Sequence, residues 1–263
     1  MSYDYFFAII LGVLPSIIWL AFYLRKDIHP EPKKWLFLIF LAGMAIAPLV
    51  VVIEWQAIDF FDFLNLKSPA FFNSFTKNLA IVFVGIAAVE EFFKYLIVRF
   101  TMKNNPVFDE PADAMIYMIV AALGFAAIEN IIVAHSFMPY IILDITQPLT
   151  TLVVRFIGAT FLHTLTSAIV GFYYALSLCK RDKCPTNPRL LILKGLFIAI
   201  LLHGIFNYLI IISKETSVIY FSIPLMIIAV FILKDFKILQ GISPRKFNHQ
   251  KKICKSKIVK SKF

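Results

Sequence analysis

Glu90 and Glu91 stand side by side in an apolar segment, L-A-I-V-F-V-G-I-A-A-V-E-E-F-F-K-Y-L-I-V-R, long enough to cross a bilayer. A charged group at the bilayer centre costs about 2.5–3.5 kcal/mol on the most lenient insertion scale, so ionisable residues persist there where they face a protein interior or a wet cavity. Lys94 follows four residues after Glu90 and three after Glu91, within helical reach of either. At about 100° per residue the two glutamates point to different sides of one helix. The spacing therefore predicts that one faces a cavity while Lys94 holds the other. Three more apolar segments carry groups able to do chemistry: Glu129 with Phe125 four residues before it, His163 bordered by Thr160, Thr164 and Ser167, and His203 with Asn207 four residues after it. Carboxylates and imidazoles move protons in hydrolytic reactions. Two histidines with one glutamate also form a legitimate zinc set with an open position.

Membrane helices must position these groups. The chain has 263 residues, is 60% hydrophobic with a mean hydropathy of +0.82, and is only 16% charged. Soluble domains are about a quarter charged, so this composition excludes a large soluble domain beside the spans. Seven apolar stretches, at 4–24, 35–53, 79–100, 114–135, 150–178, 190–213 and 216–234, are long enough to cross the hydrocarbon. The expected fold is all-α: a polytopic transmembrane bundle of about seven spans, with residues 1–233 as one catalytic domain and 234–263 as a basic cytoplasmic tail. The fifth stretch is over-long and is expected to tilt or begin late. Residues 5–24 read as a retained first span, since no basic residue precedes them.

The connections set the orientation. Arg25, Lys26, Lys33 and Lys34 lie in the first, Lys180, Arg181, Lys183, Arg189 and Lys194 near the fifth, and ten of the 26 basic residues lie between Lys234 and Lys262. The alternate connections are poor in basic residues, which predicts an outer N-terminus and a cytoplasmic C-terminus in a bacterial inner membrane. The tail suits a surface of anionic lipid, and no folded nucleic-acid module accompanies it. In that frame Glu90 lies about 16 Å, His163 about 20 Å, His203 about 15 Å and Glu129 about 9 Å from the outer ends of their spans. Aromatic-rich residues 54–78 are expected as a short amphipathic element in the outer interface. Arg155 is expected to snorkel or to pair with Asp144. His29, His135 and His249 read as background. Cys179, Cys184 and Cys254 read as free thiols, with the C-x4-C spacing a weak metal signal.

E-E-F-F-K (Glu90 to Lys94), F-A-A-I-E-N (Phe125 to Asn130), F-L-H-T (His163) and H-G-I-F-N (His203 to Asn207) occur in order on four successive spans. This arrangement resembles the PrsW family of intramembrane proteases, and more distantly the CAAX prenyl endopeptidase and bacteriocin-processing group. That branch usually carries Arg after the Glu pair and His in the second motif, so Lys94 and Glu129 favour PrsW. The resemblance implies hydrolysis of a peptide bond in a single-span membrane protein such as an anti-sigma factor, near its extracytoplasmic end. It implies catalytic roles for Glu90, Glu91, Lys94, Glu129, His163, His203 and Asn207. In first-principles terms Glu90 serves as base, Glu91 and Lys94 orient it, His163 handles the water or leaving amine, and His203 and Asn207 face the oxyanion. The family is also described as metal-dependent, which would place a metal, zinc by donor type, on Glu90, His163 and His203. H-E-x-x-H is absent, and no spacing demands the metal. Two other classes remain open at this point: a proton-coupled transporter or channel using the carboxylates as a relay, and a non-catalytic membrane scaffold. The lack of an internal repeat argues against an inverted-repeat transporter.

Overall fold

The computed structural model describes residues 2–69, 73–137, 146–179, 187–212 and 218–242. Cys184, Cys254, His249, Asp144 and the basic tail beyond Ile242 lie outside these residues. Among the described residues the chain forms seven helical rods: α1 (Ser2–Leu24), α2 (Lys33–Lys67), α3 (Ser74–Ala80) running through a π-helical segment (Ile81–Ala87) into α4 (Ala88–Met102), α5 (Pro111–Phe137), α6 (Thr146–Arg155) running through a second π-helical segment (Phe156–Thr160) into α7 (Phe161–Cys179), α8 (Pro188–Ile212) and α9 (Val218–Gln240). Five helices are long and apolar enough to cross a membrane: Tyr5–Leu24, Lys33–Lys67, Pro111–Phe137, Val153–Leu178 and Pro188–Ile212.

One expected connection is absent. Residues 54–67 do not leave the helix: α2 runs unbroken for 35 residues, about 52 Å at about 1.5 Å per residue. Between Pro48 and Pro69 no proline or glycine interrupts it, so nothing in the backbone stops the helix. Trp55, Phe60, Phe63 and Leu66 stand exposed along this extension. The chain then turns back, and Asn73 caps α3 by accepting the Thr76 N–H at 2.9 Å. A Lys77–Asp62 ion pair of 2.7 Å ties α3 to α2.

The core is built around α5. Pro111 suits the first turn, and Asp113 Oδ2 accepts the backbone N–H groups of Asp109 and Glu110 at 2.9 and 2.7 Å. Every residue from Pro111 to Ala127 is buried. The helix is apolar all round, as a rod surrounded by other helices must be. α1, α2 and α7 pack against it. Small residues let the backbones approach: a Cβ on Gly43 would meet the Ala121 carbonyl oxygen at 2.1 Å, and one on Gly124 would meet the Phe40 carbonyl oxygen at 2.0 Å. At the end where α1 and α9 finish and α5 begins, Gln240 Nε2 donates to the Lys26 carbonyl at 2.8 Å, His29 Nδ1 lies 2.8 Å from Glu110, and the Tyr117 hydroxyl donates to Glu31. Burial pushes the Glu31 and Asp27 carboxyl groups above their ordinary range.

Candidate active site

α4, α5, α7 and α8 each present a polar side chain to one buried centre. The two π-helical segments end just before the two polar helices they feed: Ile81–Ala87 precedes Glu90 and Glu91, and Phe156–Thr160 precedes His163. A π turn widens the helix locally and re-aims the side chains of the next turn, and such segments are frequent at functional sites.

Lys94 lies at the middle. Its Nζ donates to Glu90 Oε2 at 2.8 Å and to Glu91 Oε1 at 3.1 Å, lies 2.8 Å from His163 Nδ1, and stands 4.5 Å from the Phe125 ring centroid. The expected division of the glutamates is therefore only half right. Glu90 does line the cavity, but Lys94 holds both carboxylates, because its four-carbon stem reaches between their two directions on the helix. Glu91 is fully buried; its Oε1 also receives Thr166 Oγ1 at 3.1 Å and lies 2.9 Å from His203 Nδ1. Its Oε2 is buried and without a hydrogen-bond partner among the described residues.

The carboxylates fix both imidazole tautomers. Lys94 has no lone pair to offer, so His163 Nδ1 accepts from it, and Nε2–H donates to Glu129 Oε2 at 3.0 Å. His203 Nδ1–H donates to Glu91, which leaves Nε2 as the lone-pair atom, 3.9 Å from Glu90 Oε1. The two rings meet edge to face with centroids 5.1 Å apart. Glu129 is anchored in turn by Arg155, whose Nη2 donates to it at 3.1 Å while its Nε donates to Asn130 Oδ1 at 2.7 Å. Asn130 Nδ2 donates to Thr160 Oγ1 at 2.9 Å. Arg155 thus sits beside Glu129 and Asn130 rather than at the interface, and the partner expected as the alternative to snorkelling, Asp144, lies outside the described residues.

A cavity of about 460 Å³ meets this centre, lined by Glu90, Glu129, Arg155, His163, His203 and Asn207 together with Trp55 and apolar residues of four helices. All seven residues singled out in the sequence are thus brought together. Glu129, expected nearer the outer surface than the others, is bridged to His163 by the length of its own side chain. Arg155 was expected elsewhere and Thr166 went unnoticed, both described above, as did Glu54 of α2, which lies between the cavity-lining Val51 and Trp55 with its Oε1 buried. Glu54 carried the same signal as Glu90, an acid within an apolar run, but it fell where a loop was expected.

Ligand atoms of Glu90, Glu91, His163 and His203 lie within 4.8 Å of one another. Part of this set fits a divalent metal: His203 Nε2 keeps its lone pair while its Nδ1–H donates to Glu91, the arrangement that usually supports metal-binding histidines, whereas the lone pair of His163 Nδ1 is taken by the Lys94 ammonium, which would have to withdraw before that nitrogen could bind an ion. The unpartnered Glu91 Oε2 adds a free carboxylate oxygen.

A multi-helix membrane bundle with a buried carboxylate–imidazole centre opening on a cavity defines an intramembrane hydrolase. Residues 31–233 match the model of the PrsW family intramembrane metalloprotease, and the chain belongs to that family. It is similar to Protease PrsW of Clostridioides difficile, 27% identical over 263 residues covering 100% of this chain and 99% of the relative. It is also similar to Protease PrsW of Geobacillus kaustophilus, 27% identical over 209 residues (78% of this chain, 79% of the relative), and to that of Bacillus subtilis, 27% identical over 229 residues (84% and 90%). No solved structure matches the chain. The protein is an intramembrane peptidase, a multi-pass integral protein of the cell membrane that acts on a membrane-protein substrate.

Proposed function

We propose that this peptidase cuts a single-span membrane protein, with anti-sigma factors as the leading class, using Glu90 as general base. The observation that carries the assignment is the contrast between the two glutamates: Glu90 lines the cavity, whereas Glu91 is sealed beneath it. The attacking water sits in that cavity. Glu90 removes its proton as the oxygen attacks the scissile carbonyl carbon. Lys94 holds Glu90 in place and balances its charge. Asn207, which also lines the cavity, donates a hydrogen bond to the oxyanion. As the C–N bond breaks, Glu90 returns the proton to the leaving amine.

A zinc ion would be held by His203 Nε2 and a glutamate, Glu91 through its free Oε2, with His163 Nδ1 joining once Lys94 swings away from it; when bound it supplies Lewis-acid activation of the water and the carbonyl. Glu129 and Arg155 orient His163 for that role. The catalytic unit includes α9 to Gln240 rather than ending at 233, since Phe236 and Leu239 are buried in the core, and the basic tail that follows is assigned to anionic lipid at the cytoplasmic face.

The test is cleavage of a co-expressed single-span membrane protein by the wild type, Glu90→Gln and Glu91→Gln. Loss of the general base lowers the rate about 10²–10⁴-fold. Full activity in both variants overturns the assignment. Elemental analysis of the purified wild type against His163→Ala and His203→Ala decides the metal separately.

A further inference from the structure

The cavity at Glu90 does not end at the polar centre. A second cavity of about 380 Å³ lies against it, and Val133, Arg155, Ala159 and Ile210 line both. Along α5 the lining continues from Glu129 through Val133 to Phe137, and along α8 from His203 through Phe206 to Ile210. At about 1.5 Å per residue this carries the space about 10–12 Å beyond the centre. It extends toward the end of α5 at Phe137, away from the end where Lys26 meets Gln240. Phe137, Val154 and Phe206 make the walls apolar, while Ser136 and Thr151 add hydroxyl groups to them. The cavity of about 560 Å³ between α2, α4 and α8 differs, since every residue lining it, Ile53, Phe92 and Phe197 among them, is apolar.

A peptide carbonyl inside a helix is hydrogen-bonded and shielded, so a membrane-spanning substrate must unwind where it is cut. The unwound residues then need partners for their freed N–H and C=O groups, which lipid does not offer. Apolar walls set with hydroxyl groups answer that need; a wholly apolar groove does not. An extended chain advances about 3.3 Å per residue, so about three residues span the distance from the centre to the far end of the second cavity. Its volume is that of a small ligand site. We propose that the second cavity is a specificity pocket of the peptidase. It takes an apolar side chain of the unwound substrate, within about three residues of the scissile bond, on the flank that points away from the Lys26 end. In the expected orientation that is the outer flank. This rests on the reading that the Glu90 cavity cuts a single-span protein.

The probe is a tagged single-span membrane protein co-expressed with the full-length chain. Its cut is mapped by mass spectrometry, and the residues next to the cut on each flank are changed one at a time to Gly, Leu, Phe and Asp. At one outer position the wild type is expected to prefer Leu or Phe over Gly and Asp by about 10-fold or more in kcat/KM. Val154→Trp fills the pocket and is expected to collapse that ratio. Val154→Ala enlarges it and is expected to move the preference from Leu toward Phe. A wild type indifferent to the outer flank overturns the proposal, and so does a ratio that neither variant changes. An equal loss for every probe in Val154→Trp, with the ratio kept, marks a lipid site or a support of the fold and overturns it too. A second measurement needs no turnover. In the Glu90→Gln variant, a photoreactive benzoylphenylalanine in place of Thr151 is expected to cross-link the outer flank of the probe, and one in place of Phe197, in the wholly apolar groove, is not. No cross-link at 151, or an equal yield at both positions, overturns the proposal. If the wild type cuts nothing, the peptidase reading itself fails, and the cross-link alone decides whether this pocket holds the flank of a single-span protein.

Discussion

His163 is held from both ends, by Lys94 at Nδ1 and by Glu129 at Nε2, and Glu129 depends on Arg155. An imidazole in a buried site is useful only in one tautomer and one rotation, so the outer partners matter although they do not touch the substrate. Arg155→Gln leaves Glu129 without its strongest donor and frees the His163 ring to turn. The expected loss is about 10–100-fold in activity, with a parallel fall in metal content if the ion is bound. Cleavage and elemental analysis of one preparation read both, and an Arg155→Gln variant that is fully active and fully loaded would refute the relay. That the seven candidate residues deserved attention was legible, because acids and imidazoles in apolar helices are conspicuous. Arg155 was not: an Arg near a span end usually snorkels, and only the partner across the bundle distinguishes the two roles. Glu91 and Lys94 were misjudged for a related reason, since angular spacing along a helix says nothing of how far a lysine stem bends.

Helix contacts decide where those residues meet, and the closest approach in the core is between α2 and α5. The two backbones cross where Gly43 faces Ala121 and Gly124 faces Phe40, each glycine leaving room for a carbonyl of the opposite helix. In lipid, where apolar side chains gain little by leaving the solvent, such close packing is a main source of helix association. A Gly43→Leu substitution forces α2 outward, at a cost of at least about 1–3 kcal/mol of overpacking. Because α2 carries Val51 and Trp55 to the cavity, the displacement should also lower activity beyond the loss of folded protein. Gly241→Ala is the matched control, since a Cβ there meets nothing nearer than 3.5 Å. A thermal midpoint for Gly43→Leu equal to that of Gly241→Ala would show that the crossing does not limit stability. Neither this crossing nor the π-helical segments could be read from the sequence: a glycine in an apolar run marks a small side chain without naming its partner, and a π turn has no residue signature of its own. The end of α2 was misread because aromatic density at 54–66 suggests an interface, whereas the absence of any helix breaker decided the outcome.

At the scale of the whole molecule, the seven apolar stretches were legible because hydropathy sets where a chain is stable in lipid, and six of them fall on helices close to the expected bounds. The orientation of the bundle depends on a different property, the placement of positive charge, and the contacts at one end give it a geometric basis. Lys26 meets Gln240 of α9 there, and His29 meets Glu110 before α5, so the connection bearing Arg25, Lys26, Lys33 and Lys34, the connection around Lys103 and the end of α9 share one face. Positive charge gathered on one face is retained on the cytoplasmic side during insertion. A reporter fused after Ile242 is therefore expected to be cytoplasmic, and one inserted after Ser68, at the far end of α2, to be outside. Charge reversal of Lys33 and Lys34 to glutamate should raise the fraction of inverted molecules and lower cleavage in proportion, since an inverted bundle turns the mouth of the cavity to the other compartment. An outside reporter after Ile242 would reverse the orientation, and with it the side of the membrane from which the substrate must enter.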